Sequence, residues 1–421
     1  MRAAPTHRLR RRVPGSKSNR KLPLEYNLLL TATLCLLALG AVMVYSASSA
    51  RTLLQGQGDG TTYLVRYLAY GAAGFVALHV IARRGLDAVV AVTGPLLAFS
   101  FACLVAVKLP GFGVTVNGAR RWLGAGPLTF QPSEVAKLAL VLYAAKFLAT
   151  KPGRIRSPRS VGPVLLVAGT MLLLVASQPD LGTSLVIAFT LTAMLVAAGL
   201  PVRYLLMGAG IAGFLVSVYA MSEPYRRARL TTFLDPWSHA GGAGFQAVQG
   251  QIALGSGGLF GRGIGQSVQK IFYLPEAHTD FILAIIGEEL GVAGIMVVLL
   301  LYGLIAYAGL RVAKAAKGAY AKLLAAGITS LILSQACLNV FAVLGLAPLT
   351  GVPLPFISYG ATNLTVLLAG MGLLLNVAGG GSAHLRVVTG SRRHGAEDRH
   401  RRRRNSGTRR AGAGRGRRAT G

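Results

Sequence analysis

Ten apolar runs, most of them separated by short connections, govern what this chain can become. A hydrocarbon core about 30 Å thick takes about 20 residues of apolar helix. The runs Leu28–Tyr45, Leu64–Ile81, Val89–Val107, Val135–Leu148, Val161–Val175, Thr183–Leu200, Tyr204–Met221, Phe281–Leu310, Leu323–Leu344 and Asn363–Val377 approach or exceed that length. They predict an all-α integral membrane protein with about ten transmembrane helices and a large extracytoplasmic loop between helices 7 and 8. Charge usage agrees. Only 14% of the 421 residues are charged and the mean hydropathy is +0.54, whereas soluble domains carry about 25% charged residues.

Basic residues orient the bundle, because short cytoplasmic connections collect Lys and Arg. Both tails are basic, which puts both termini in the cytoplasm and requires an even number of spans. The connections Ala82–Asp87, Thr150–Ser160, Pro201–Arg203 and Arg311–Lys322 then fall inside, and each carries bases. The opposite connections after spans five and nine carry none. Two outer segments are long, Lys108–Ser133 and Ser222–Thr279. The larger contains a candidate interfacial helix, Phe245–Leu254, followed by the glycine-rich run GSGGLFGRGIGQS.

Three regions follow: a basic cytoplasmic tail at 1–25, a membrane domain at 26–380 with its outer loop at about 222–279, and a basic, disordered cytoplasmic tail at 381–421. The net charge of +31 resides mostly in the tails. No aromatic residue interleaves the tail bases, so anionic membrane lipid is their expected contact rather than nucleic acid.

Several chemistries are excluded or unsupported. Cys35, Cys103 and Cys337 lie in apolar runs at spacings that fit no metal site or disulfide framework. No cleavable signal pattern precedes the first run. GAGIAG at Gly208–Gly213 matches a dinucleotide motif literally, but it lies inside a span and follows no strand.

Only 13 acidic residues occur, so each can be placed. Glu25, Asp87, Glu397 and Asp398 are expected inside; Glu288 and Glu289 lie within span eight. Asp59, Glu134, Asp180, Glu223, Asp235, Glu276 and Asp280 are expected at or beyond the outer interface. Asp280 stands at the outer end of span eight. It reads equally as a helix cap and as a catalytic carboxylate. A helix N-terminus would make it a weaker base, so a catalytic Asp280 is expected to act by proximity or by holding a divalent cation, magnesium or manganese. Sequence alone requires no cofactor. Glu134 and Lys137, spaced i,i+3 in QPSEVAK, share a helix face; the bland reading is a Ser133 cap plus a structural ion pair. Glu288 and Glu289 read first as protonated packing groups. Asp180 in QPDLG and Asp235 in LDPW look like caps.

Bases on the outer face run against the positive-inside trend. They are Arg120 and Arg121 in NGARRW, Arg226, Arg227 and Arg229 in YRRARL, and Arg262 and Lys270 in the large loop. Arginine forks suit a pyrophosphate, while snorkelling toward headgroups is the simpler explanation for one or two of them. Gln246 and Gln249 either meet sugar hydroxyls or line the polar face of the loop.

QPSEVAK, QPDLG, the large outer loop, YLPEAHTDF, IIGEELG and PLPFISYG occur in this order from about the first span to the last. Together they resemble the SEDS family (shape, elongation, division and sporulation), the division-type branch, FtsW, more than the elongation-type branch, RodA. The sequence departs from the family at ATN after PLPFISYG, where a glycine and serines are usual. The resemblance implies the ten-helix SEDS bundle and a peptidoglycan glycosyltransferase that polymerises lipid II at the outer face of the plasma membrane for septal wall synthesis. It implies a class B penicillin-binding protein and other division proteins as partners, and a place at the division septum. The family's essential aspartate maps onto Asp280 and its glutamate–lysine pair onto Glu134 and Lys137. The candidate substrate contacts are Arg120, Arg121, Arg227, Arg229, Arg262, Gln246, Gln249, His278 and Ser358, with the membrane cavity around Glu134 expected to hold a lipid tail. A lipid II flippase and a non-catalytic division scaffold are the competing readings.

Overall fold

The computed structural model describes residues 23–383, except 55, 57–58, 117–118, 126–127, 151–154, 156–157, 222–231, 243 and 272. Both basic tails, and Arg226, Arg227 and Arg229 with them, lie outside the described residues.

Each of the ten apolar runs coincides with a helix. In chain order these are α1 (Leu24–Leu54), α2 (Thr62–Arg83), α3 (Leu86–Ala106), α4 (Pro132–Ala149), α5 (Pro158–Ala176), α6 (Leu181–Ala197), α7 (Val202–Met221), α9 (Ile282–Ala315), α10 (Ala319–Val343) and α11 (Ala361–Ala378), with a short helix, α8 (Phe245–Gly257), before α9. Among the described residues seven helices are long and apolar enough to cross a membrane. The chain is therefore a multi-pass membrane protein. Helix α6 has only 17 residues, and α4 carries Glu134, Lys137 and Lys146 within its 18. Charges in a span are costly unless they face protein, and both Glu134 and Lys137 are buried. Helices α4, α10 and α11 supply much of the buried interior, while α2, α3 and α5 present most of their length outward. α11 packs chiefly on α2, α1 on α9, and α10 on both α9 and α6.

The segment between α3 and α4 departs from an all-helical fold. It forms an antiparallel sheet of β1 (Gly113–Val116), β2 (Ala119–Ala125) and β3 (Leu128–Phe130), in that order. Val114 faces Trp122, and Leu123 faces Phe130.

The large loop is also more than an appendage to the helices. Its glycine-rich segment packs along α9, whose helix breaks at Gly291 (φ 69°, ψ −164°). There the loop supplies the backbone partners that a broken helix lacks. Val292 N–H donates to Gly258 O at 3.0 Å, and Ala293 N–H to Leu259 O at 3.1 Å. In return Arg262 N–H donates to Glu288 O, and Gly263 N–H to Glu289 O, each at 3.0 Å. Irregular backbone at membrane depth survives only when such groups are satisfied by protein. Gly291 and Gly261 approach so closely that a β-carbon on either would strike the other strand of the contact, and both hold left-handed φ values open to glycine.

Two buried carboxylates hold this segment. Glu288 accepts from Ser267 Oγ (2.5 Å), Val268 N–H (3.1 Å) and Gln269 N–H (3.4 Å). Glu289 accepts from Ser46 Oγ at 2.7 Å and pairs with Lys270 Nζ at 2.8 Å. The expectation of protonated packing groups is corrected for Glu289, which is one half of a buried ion pair. Lys270 is likewise removed from the set of bases free to meet a pyrophosphate.

Candidate active site

The site is assembled where one end of each of α4, α6, α9, α10 and α11 meets the region of the sheet. Helix α9 starts at Ile282, and its N-cap, Phe281, makes no side-chain cap bond. Asp280 therefore lies just before the helix without capping it, which removes the bland reading. Its backbone carbonyl accepts from Asn339 Nδ2 at 2.8 Å, and the same amide holds Val352 O at 2.8 Å. The Asp280 carboxylate accepts no hydrogen bond among the described residues, and Gly351 lies against its Oδ2. Burial pushes its pKa up to about 7, the carboxylates of Glu276 and Asp180 push the same way, and the Arg121 guanidinium opposes them. This reverses the expectation of a weakened base. That expectation assumed stabilisation by a helix end, and the tertiary neighbours outweigh it.

Glu134 and Lys137 meet as their spacing predicts, with Lys137 Nζ 2.8 Å from Glu134 Oε2 and both residues 2% exposed. Asn363 Nδ2 donates to the same Oε2 at 2.7 Å. Ser133 is not the cap of α4. Gln131 holds that position with Pro132 at the first turn, and its N–H donates to Thr362 Oγ1 at 3.1 Å. The space beside Lys137 measures only about 10 Å³, about what a single water needs.

Asp180 caps α6 as expected, accepting Thr183 N–H at 3.0 Å and Thr183 Oγ1 at 2.9 Å. Gln131 Nε2 reaches its other side at 3.4 Å, so α4 and α6 are tied together beside Asp280. Asp235 also behaves as a turn former, taking Ser238 N–H.

Strand alternation separates the two arginines of β2. Arg121 turns inward and donates from Nε to Gln178 O at 3.0 Å and from Nη2 to Pro179 O. Arg120 is exposed and reaches only Thr115 Oγ1, at 3.4 Å. Arg262, 44% exposed, lies 3.6 Å from Glu288. It belongs to the loop clamp more than to the Asp280 site. Gln246 donates to Pro275 O at 3.2 Å, bracing α8 against the segment leading to Asp280, and Gln249 is half-buried on the same helix.

Ser358 is corrected from a substrate contact to a support. It is buried, donates to Thr279 O at 2.5 Å and accepts Leu354 N–H at 2.9 Å. His278 is buried between Tyr63 (ring centroids 4.4 Å apart) and Tyr359 (5.7 Å). Burial and then Arg51 drive its pKa down to about 4 against the pull of Glu276, so the imidazole is neutral at physiological pH. Among the described residues no group of three or more His, Cys, Asp and Glu side chains converges as a metal site would.

Asn363, Asn339 and Gln178 escaped the sequence reading. The signal for Asn363 was present in the ATN departure: Thr362 and Asn363 are the two side chains through which α11 holds the start of α4.

The model of the FtsW/RodA/SpoVE cell cycle proteins matches residues 26–381. The chain belongs to this family. It is 41% identical to stage V sporulation protein E of Bacillus subtilis over 354 residues, 83% of this chain and 96% of that protein. It is 39% identical over 353 residues to a probable peptidoglycan glycosyltransferase FtsW of Geobacter sp., covering 83% and 96%. Among solved structures, RodA of Thermus thermophilus shares the fold at TM-score 0.62 and 27% identity, over 85% of this chain and 97% of that one. A chain of a peptidoglycan synthase complex that coordinates polymerization and crosslinking matches at TM-score 0.69 and 30% identity, over 83% and 96%.

Proposed function

We propose that this family member is a peptidoglycan glycosyltransferase that polymerises lipid II at the outer face of the plasma membrane, serving the division septum. The observation that carries the reading is the Asp280 carboxyl. It accepts no hydrogen bond among the described residues, its pKa is raised to about 7, and Arg121 and the Glu134–Lys137–Asn363 cluster belong to the same outer assembly. A general base works best with a pKa near the operating pH. The donor sugar carries pyrophosphate, a good leaving group, so one base suffices where a glycosidase needs two carboxyl groups. Asp280 takes the proton of the acceptor hydroxyl as that oxygen attacks the anomeric carbon of the donor. A β-1,4 bond forms, and undecaprenyl pyrophosphate departs toward Arg121 and Arg120. Glu134, Lys137 and Asn363 fix the α4–α11 wall of the site.

All ten long helices span the bilayer in this reading, α4 and α6 included, with both termini in the cytoplasm. The relatives' names, and the synthase complex whose chain matches, support the substrate class and a transpeptidase partner of the class B penicillin-binding type. Purified protein given labelled lipid II and such a partner should yield a ladder of glycan chains. Lipid II crossing vesicles with no polymer formed would instead favour a flippase.

A further inference from the structure

Three consecutive backbone carbonyls lead into the Asp280 site, and each is held from α10 or from the strap that joins it to α11. Tyr359 N–H donates to His278 O at 3.0 Å, Ser358 Oγ to Thr279 O at 2.5 Å, and Asn339 Nδ2 to Asp280 O at 2.8 Å. The strap turns tightly at Leu354–Ser358. Ile357 N–H and Ser358 N–H both donate to Leu354 O, at 3.3 and 3.0 Å, and Leu354 N–H donates back to Ser358 Oγ at 2.9 Å. The direction in which Ser358 and Tyr359 meet the Asp280 segment is therefore set by this turn.

The turn is strained. Phe356 has a φ of 65°, a left-handed value that glycine takes freely and a bulky L-residue resists. Its ring is buried in the core. Strain of this kind persists only where the surroundings over-determine it. Two buried tyrosines do so from different helices. Tyr302 OH on α9 donates to Pro355 O at 2.5 Å, and Tyr67 OH on α2 donates to Phe356 O at 2.6 Å. These are the carbonyls of the two central residues of the turn. Helix α1 backs the same place, since a β-carbon at Gly40 would lie 2.9 Å from Ile357 Cα and would strike the Tyr67 hydroxyl.

We propose that Tyr67 and Tyr302 are positioning residues for glycosyl transfer, acting through the Pro355–Phe356 turn on Ser358 and Tyr359 and so on the placement of Asp280. The inference rests on the transferase reading for the reaction being positioned. The chain of contacts is continuous, from the two hydroxyls to the turn carbonyls, through Ser358 and Tyr359, to the carbonyls of His278 and Thr279. A hydroxyl that served only core stability would change the amount of folded protein. One acting along this chain changes the rate per folded molecule and leaves substrate affinity alone.

The test compares full-length wild type with Tyr67→Phe, Tyr302→Phe, Ser358→Ala and the double variant Tyr67→Phe/Ser358→Ala, with rates expressed per folded molecule. Each tyrosine variant should lower kcat for glycan formation from lipid II about five- to tenfold with KM within about twofold, as expected of a small misplacement of a reacting group. Ser358→Ala cuts the chain at its next link. The double variant should therefore be no slower than Ser358→Ala alone, whereas independent effects would multiply. Hydrogen exchange on the same proteins reads the link without the reaction. Tyr67→Phe should speed exchange in the peptide 353–362 at least about fivefold, with peptides from α10 unchanged. Either tyrosine variant decides if the other fails to fold. An unchanged kcat in a folded tyrosine variant, a loss confined to KM, or effects that multiply with Ser358→Ala would overturn the proposal, whatever the exchange shows. No polymer from wild type would refute the transferase reading instead. Exchange then decides the positioning link, with faster exchange in 353–362 upholding it and unchanged exchange overturning it.

Discussion

Lys270 and Glu289, 19 positions apart in the chain, form a buried ion pair, 2.8 Å from Nζ to Oε1, that closes the stretch containing Asp280. The pair is reinforced by Ser46 Oγ, which donates to both oxygens of Glu289, and by Gly265 O, which accepts from Lys270. The segment carrying Asp280 is thus anchored on both sides, to the break in α9 and to α1.

Removing one partner should be worse than removing both. A buried charge left alone costs about 3–5 kcal/mol, whereas replacing a whole pair with apolar groups is often neutral. Lys270→Met and Glu289→Leu are each expected to lower the thermal midpoint sharply and to reduce polymerisation. The double variant should recover most of the stability. Thermal unfolding of all four proteins in detergent completes the cycle.

Asp280→Asn should stabilise the fold above neutral pH. The folded pKa of Asp280 is raised from 3.8 to about 7, so the proton is held more tightly folded than unfolded. This group's contribution is therefore most favourable below pH 4 and is lost as pH rises through 7. A shift of about three units corresponds to at most about 4 kcal/mol, reduced by the open side of the site. Melting wild type and Asp280→Asn at pH 5 and pH 8.5 should show the variant gaining only at the higher pH.

Asn363 donates a charge-assisted bond to Glu134 at 2.7 Å, of a kind that contributes about 1.5–3 kcal/mol. Asn363→Ala should slow glycan formation about tenfold. Asn363→Asp should do more damage, since it sets a second carboxylate against Glu134. Lys137→Met, which strands Glu134, should be the most severe of the three. Initial rates with matched thermal midpoints would rank them.

Gly351 has φ of +67° and lies against Asp280, where a β-carbon would be 3.2 Å from Oδ2. The left-handed conformation costs an ordinary L-residue about 1–2 kcal/mol. Gly351→Ala should lower both stability and rate, with the rate falling further because the carboxylate is displaced. Comparing kcat with the melting midpoint separates the two effects.

Span positions were legible because apolar length is a local property, and Glu134–Lys137 was legible because i,i+3 spacing fixes proximity within one helix. The sheet carried a signal that went unread: Asn117-Gly118, between Val114-Thr115-Val116 and Arg120-Arg121-Trp122, is a hairpin pattern. Docking of the large loop was hidden, since it depends on close approach of Gly261 to Gly291, thirty positions apart in the chain. The basicity of Asp280 was hidden for the same reason. Its neighbours Asp180 and Arg121 arrive from α6 and β2, and local pattern suggested only a helix end.

The most direct test of the account is the rate of glycan formation from lipid II between pH 5 and 9, for wild type and Asp280→Asn. The wild-type rate should rise with pH through a midpoint near 7, as Asp280 becomes free to accept a proton, and a folded Asp280→Asn should give no measurable polymer. A wild-type rate flat across that range together with full activity in Asp280→Asn would contradict it, leaving Asp280 a structural residue.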